Sequence, residues 1–342
     1  MKILFAIQGT GNGHLSRARD VYPELAKYGT VDVLISGIQA DVDVPFPVKY
    51  KMYGMSFIFG KRGGVDLWAT AKTLKLFKLF KDIRNFPIED YDLVINDFEP
   101  ISSWACKRKK LPCISVSHQC AVANKNAPPP ESGDPMGKFV LMNYAPVTAE
   151  YGFHFKAFAE NIFTPVIRKE IRELTPTDEG HYTVYLPAYD DATIVKHLSH
   201  FKNAKWQVFS KHNKQPFVAG NVSVSKIDNR AFIKSMAAST GVLCGAGFEG
   251  PAEAMYLNKK VLVIPMLIQY EQQCNAAGAK AMGATVIKTL SEKYYGTIGD
   301  WLENGKKITV NYPDITGEII KKIVMKHAGD KMPVKKPELQ TI

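Results

Sequence analysis

The stretch GAGFEGPAEAMYLNKKVLVIPMLIQYEQQCN, residues 245–275, decides how the chain is read. The apolar run Val242-Leu243-Cys244 just before it reads as the end of a buried strand. Gly245, Gly247 and Gly250 then permit a tight turn that brings backbone N–H groups close to a ligand. Pro251 suits the first turn of the following helix, where its missing N–H costs nothing. A helix that opens on glycines favours an anion, usually a phosphate, because its first amides are unpaired and its dipole is positive there. Glu253 stands just inside that helix, within reach of the hydroxyls of a ligand whose phosphate rests on the turn. After the strand at 261–265, Glu271, Gln272, Gln273 and Asn275 suit a polyhydroxylated ligand. Phosphate, diol and polyol in series describe a nucleotide sugar.

The residues on either side repeat one grammar. Apolar runs at 183–187, 206–210, 221–225, 242–244, 261–265 and 285–287 alternate with helical pieces, including 231–239 and one from about Asp191. Short apolar runs separated by helices predict a parallel, doubly wound sheet. The first half does the same. MKILFAI is a buried strand, and residues 14–28 place Leu15, Ala18, Val21, Tyr22 and Leu25 at helical spacing before the stop at Gly29. Pro23 falls inside that helix and is expected to kink it. Further strands are expected at 31–36, at 91–97 ending in Asp97, and at 111–119 ending near His118.

The loop Gly9-Thr10-Gly11-Asn12-Gly13-His14 invites a dinucleotide reading, but its third glycine comes one residue early. The second strand also ends in Ser36-Gly37, without the acidic residue that a dinucleotide site uses on the ribose. A histidine leaving such a loop is better placed as a general base pointing into a cleft, against the plainer reading of a capping or surface histidine. Ligands of open α/β sheets sit beyond the carboxyl ends of the strands. Thr10, Asn12, His14, Asp97, Glu99 and His118 would therefore share one rim. A carboxylate beside a histidine raises its basicity and fixes its tautomer. Asp97 equally suits a helix N-cap.

A chain of 342 residues suits two domains. We expect an α/β domain at 1–165, a linker at 166–182, a second α/β domain at 183–326 whose last helix packs back on the first, and a loose tail at 327–342. Five cysteines without a C-x-x-C pair argue against a metal or disulfide framework and for a reducing cytoplasm. No run approaches a membrane span, and the N-terminus does not read as a signal peptide. The net charge of +11 favours an anionic partner. Nucleic acid is disfavoured, because no zinc-finger spacing, helix-turn-helix pattern or RNA-binding aromatic signature is present. Residues 72–83 predict an amphipathic helix, with Leu76, Phe77, Leu79, Phe80 and Ile83 opposite Lys72, Lys75, Lys78 and Lys81. That helix fits packing on the sheet, or contact with an anionic membrane. The proline-rich 124–135 reads as a loop beside the cleft.

Three motifs carry a resemblance. GTGNGH is similar to an N-terminal G-x-G-G-H loop, GFEGPAE to a glycine-rich turn leading to a ribose-binding glutamate, and EQQCNA to a [DQ]-Q-x-x-N-A segment. Together, in this order, they resemble GT-B glycosyltransferases, nearest to the UDP-glycosyltransferases and the peptidoglycan lipid-linked N-acetylglucosaminyltransferases. The resemblance implies two Rossmann-like doubly wound parallel-sheet domains facing a cleft, and inverting, metal-independent transfer of a hexose from a nucleotide sugar to a hydroxyl. His14 would be the base and Asp97 its orienting partner. Gly247, Phe248, Glu249 and Gly250 would hold the diphosphate, Glu253 the ribose, Glu271 and Gln272 the sugar, and Phe232 and Ile233 the base. Thr10, Asn12, Glu99 and His118 would lie on the acceptor side, where a lipid-linked acceptor is one candidate. No cofactor beyond the co-substrate and no metal is implied. Glu249 departs from the family pattern, since a carboxylate beside a diphosphate is unfavourable unless it faces the sugar or a cation. A nucleotide-sugar epimerase, a nicotinamide-dependent oxidoreductase and a non-catalytic sugar-nucleotide or lipid-binding protein are the alternatives.

Overall fold

The computed structural model describes residues 1–10, 12–37, 44–54, 76–131, 133–267 and 269–331. Its first sheet contains β1 (Lys2–Gln8), β2 (Thr30–Ser36), β3 (Tyr50–Met52), β4 (Leu93–Asp97), β5 (Ile114–Ser117), β6 (Ala149–Phe153) and β7 (Ile162–Phe163). The order is β3-β2-β1-β4-β5-β6-β7, with every pair parallel. The second contains β8 (His181–Tyr185), β9 (Lys205–Ser210), β10 (Phe217–Ala219), β11 (Val222–Lys226), β12 (Gly241–Gly245), β13 (Lys260–Ile264) and β14 (Thr285–Val286). Its order is β10-β11-β9-β8-β12-β13-β14, and β10 alone runs antiparallel to its neighbour. The molecule is therefore two parallel-sheet α/β domains, with the sheets changing over between Phe163 and His181.

Strand sequence explains why both faces of each sheet are covered. Along β1, Ile3, Phe5 and Ile7 point to one apolar cluster and Leu4 and Ala6 to another, all at most 1% exposed. The helix Asn12–Ala26 covers the first face with Leu15, Ala18, Val21 and Leu25. Each of the leucine and valine side chains contributes roughly 1.5–3 kcal/mol on burial. The same alternation recurs on β13, where Val261 and Val263 face one cluster and Leu262 and Ile264 the other. The helix Thr316–Ala328 returns to the first domain, joining Ile319, Ile320, Ile323 and Val324 to the cluster that holds Leu15 and Val21.

Some expectations change. The strand expected at 111–119 stops at Ser117, whose Oγ caps a helix His118–Ala123, so His118 opens a helix. The helix Pro135–Asn143 begins where the 124–135 loop ends, capped by the Asp134 side chain. The sequence pattern does not predict β3, β6, β7 and β10, because strands of two to five residues show too little periodicity. The amphipathic helix is described over Leu76–Asn85, with Lys72 and Lys75 outside the described residues. Of its apolar residues Leu79 is buried, whereas Phe77 is 95% and Phe80 66% exposed. Residues 332–342 of the expected tail also lie outside the described residues.

Candidate active site

In the first sheet the winding direction reverses between β1 and β4, and in the second between β8 and β12. Crevices form at such reversals, beyond the carboxyl ends of the strands. The first reversal carries the loop into the helix Asn12–Ala26 and the Asp97–Glu99 turn. The second carries Ala246–Phe248 and the helix Glu249–Tyr256. The two crevices face each other, and side chains from one rim touch the other.

His14 Nδ1 lies 2.9 Å from Asp97 Oδ1. Arg17, three residues further along the same helix face, donates from Nη2 to both Asp97 oxygens at 2.8 Å. Its Nη1 donates across the cleft to Glu249. On the other side of His14, Gln119 Nε2 is 3.3 Å from His14 Nε2 and donates to Glu271 Oε2 at 3.2 Å. With a proton on Nδ1 toward Asp97, the Nε2 lone pair faces the cleft as an acceptor. Burial alone would lower the His14 pKa, but the adjacent Asp97 carboxylate outweighs it and raises it above the usual 6.5. Burial alone would raise that of Asp97, but Arg17 and His14 hold it below the usual carboxylate value.

Between Asp97 and Glu99, Phe98 adopts φ 57°, a left-handed conformation that costs a bulky residue about 1–3 kcal/mol. Its ring stacks on Tyr144 at 4.7 Å. This turn sends Asp97 into the cleft and Glu99 inward. Glu99, not Asp97, caps the helix Pro100–Lys109, accepting from Ile101 N at 2.8 Å and Ser102 N at 2.7 Å, and also from Ser36 Oγ at 2.6 Å. It is fully buried and does not face an acceptor.

His118 is likewise turned away from the rim. Its ring nitrogens face Phe153 O at 2.7 Å and Asn275 Oδ1 at 2.6 Å, and its ring stacks on Phe248 at 3.8 Å. Asn275 Nδ2 donates to Ala246 O at 3.1 Å, so Asn275 is a strut between the domains rather than a sugar ligand. Gln272 Oε1 accepts from Met266 N and Gln273 Nε2 donates to Met266 O, both bracing their own turn. Of that polar group, Glu271 faces His14 through Gln119. Thr10 Oγ1 accepts from Gln8 Nε2 at 3.3 Å beside the first glycine loop, where Asn12 opens the helix and Gly11 lies outside the described residues.

On the second rim, the helix Glu249–Tyr256 has no side-chain cap at Phe248. Gly247 and Gly250 border open space, since a Cβ at either would meet nothing within 4 Å. Glu253 is buried and held by Arg168, Nε to Oε1 at 2.5 Å and Nη2 to Oε2 at 2.8 Å. Phe232 packs against Tyr185 and Phe209, while Ile233 is buried in the core.

Arg17 and Arg168 are the residues that sequence reasoning missed. Arg17 had one signal: helical spacing sets it with His14 and Val21 on the inward face, where an arginine requires a buried partner. Arg168 had none, being a linker residue whose partner is distant in sequence.

A family model described as glycosyl transferase family 1 matches residues 1–304. The chain belongs to that family. Its fold is similar to that of MurG from Acinetobacter baumannii, at 14% identity and TM-score 0.52, over 97% of this chain and 99% of that one. It is also similar to LpCGTa in complex with UDP, at 11% identity and TM-score 0.55, over 94% and 93% of the two chains. A UDP-N-acetylglucosamine 2-epimerase is similar at 15% identity and TM-score 0.54, over 97% and 98%. A search of curated proteins found no matching sequence. Family membership makes this a GT-B glycosyltransferase, with His14 and the 247–250 turn on facing walls of its cleft.

Proposed function

We propose that the chain transfers a hexose from a nucleoside diphosphate sugar to a hydroxyl acceptor, with inversion at the anomeric carbon and without a metal ion. The observation that carries this reading is the His14–Asp97 pair facing an uncapped, glycine-lined helix N-terminus across one cleft. His14 Nε2 takes the acceptor proton, with Asp97 holding the ring and compensating the imidazolium that forms. The acceptor oxygen bonds to the anomeric carbon as the bond to the diphosphate oxygen breaks. Amides of 247–250 and the helix dipole stabilise the departing charge. Glu253 holds the ribose, sharing its carboxylate with Arg168, and Glu271 faces the sugar while Gln272 braces the turn that presents it. Phe232 lines the base pocket, backed by the buried Ile233, and Thr10 and Asn12 line the acceptor entrance.

Uridine is the favoured base, supported by the likeness to LpCGTa, whose structure is a complex with UDP. Exposed Phe77 and Phe80 beside Lys78, Lys81 and Arg84 support contact with an anionic membrane at its cytoplasmic face, and with it a lipid-linked acceptor. The epimerase likeness supports a second reading, in which the donor itself is turned over with no acceptor present. Thermal-shift titration of the full chain with UDP-, GDP-, ADP- and dTDP-sugars tests the donor class. Stabilisation by one base series is expected, and a null result across the panel removes the reading.

A further inference from the structure

Glu249 stands in the first turn of the helix that would seat a diphosphate, and its carboxylate is received by the first domain. Arg17 Nη1 donates to it, and Gly13 makes room for it, since a Cβ at Gly13 would lie 2.8 Å from the Glu249 Cδ. The two partners differ in freedom. The Arg17 side chain is 2% exposed and pinned to both Asp97 oxygens at 2.8 Å, whereas that of Glu249 is 22% exposed. Among the described residues, the buried Arg17 Nε has no hydrogen-bond partner. A buried guanidinium whose Nη1 faces a space that glycine keeps free for a carboxylate is built for an anion.

We infer that the recess between Gly13 and Arg17 is a phosphate subsite, and that Glu249 occupies it as a placeholder until the donor's diphosphate displaces it. This rests on the donor reading above and adds the cation that the glycine turn lacks. When diphosphate settles on the 247–250 amides, the carboxylate is repelled and swings to solvent, leaving Arg17 to pair with the phosphate oxygens. Closure of the cleft and neutralisation of the leaving group then use one side chain, supplied by the acceptor domain.

Calorimetric titration of the full chain with inorganic pyrophosphate in chelator-treated buffer tests this without reference to base or sugar. Glu249→Gln removes the competing charge and is expected to tighten pyrophosphate about tenfold, while Arg17→Gln weakens it by about tenfold or more in both the native and the Glu249→Gln backgrounds. Arg17→Lys should recover part of the loss. If the Arg17→Gln effect vanishes in the Glu249→Gln background, Arg17 merely neutralises Glu249 and the subsite is overturned. Should Arg17→Gln not fold, Glu249→Gln decides alone, and unchanged or weaker binding overturns the assignment. Pyrophosphate bound by neither the native chain nor Glu249→Gln overturns it too. A chain that passes these tests but binds no nucleotide sugar keeps the subsite and loses the donor reading.

Discussion

His14 Nδ1 sits 2.9 Å from Asp97 Oδ1, and Asp97 in turn is held by both 2.8 Å bonds from Arg17, so the imidazole leans on a carboxylate that cannot turn away. Burial opposes the His14 charge but Asp97 outweighs it, leaving the pKa above 6.5. A base must be neutral, so kcat should rise with pH through a midpoint above 6.5. Stability moves oppositely: the raised pKa stabilises the fold fully below 6.5, and this contribution is lost as pH rises through the folded value. Asp97→Asn should shift the kcat midpoint downward, and an unmoved midpoint removes Asp97 from that role.

His14→Ala should cut turnover by about 10² or more while leaving donor affinity near native, as loss of a general base does. Steady-state kinetics beside a donor titration separates the two effects. Native turnover in the variant would take His14 out of the mechanism.

Glu253→Ala should act on both donor and fold. It leaves Arg168 with Glu170 and Asn229 only, and breaking such a buried pair costs about 3 kcal/mol. A lowered melting temperature with weaker donor binding is expected. A lower melting temperature with donor affinity intact would leave Glu253 a structural partner of Arg168 alone.

The interface between the domains should be acid-sensitive at His154. Burial, and then the neighbouring His118, push its pKa down to about 3. A depressed histidine stabilises the fold fully above 6.5 and loses that contribution as pH falls from 6.5 toward 3. His154→Phe should flatten the acid limb of a stability-against-pH curve, and an unchanged limb would assign the acid sensitivity elsewhere. Gly278→Ala probes the same contact, because its Cβ would meet His154 Cε1 at 2.6 Å, and overpacking costs about 1–3 kcal/mol.

Replacing Phe77 and Phe80 by Ser should leave the melting temperature within the small range typical of surface changes but reduce binding to vesicles rich in anionic lipid. Native-like sedimentation with such vesicles would dissociate this helix from any membrane role.

Sequence alone determined the two parallel-sheet domains, the positions of most strands, and the two glycine loops with His14 and Asp97 at their rims. That information is local: a doubly covered parallel strand must be apolar along its length, and glycine and proline punctuate what lies between. Tertiary structure decided which polar groups meet. Arg17 joins Asp97 80 residues away and Glu249 232 residues away, and no periodicity reports a contact made only when two domains dock. The same docking turns Asn275 from a candidate sugar ligand into a strut for His118, and explains the carboxylate at Glu249, whose partner is a guanidinium on the other domain.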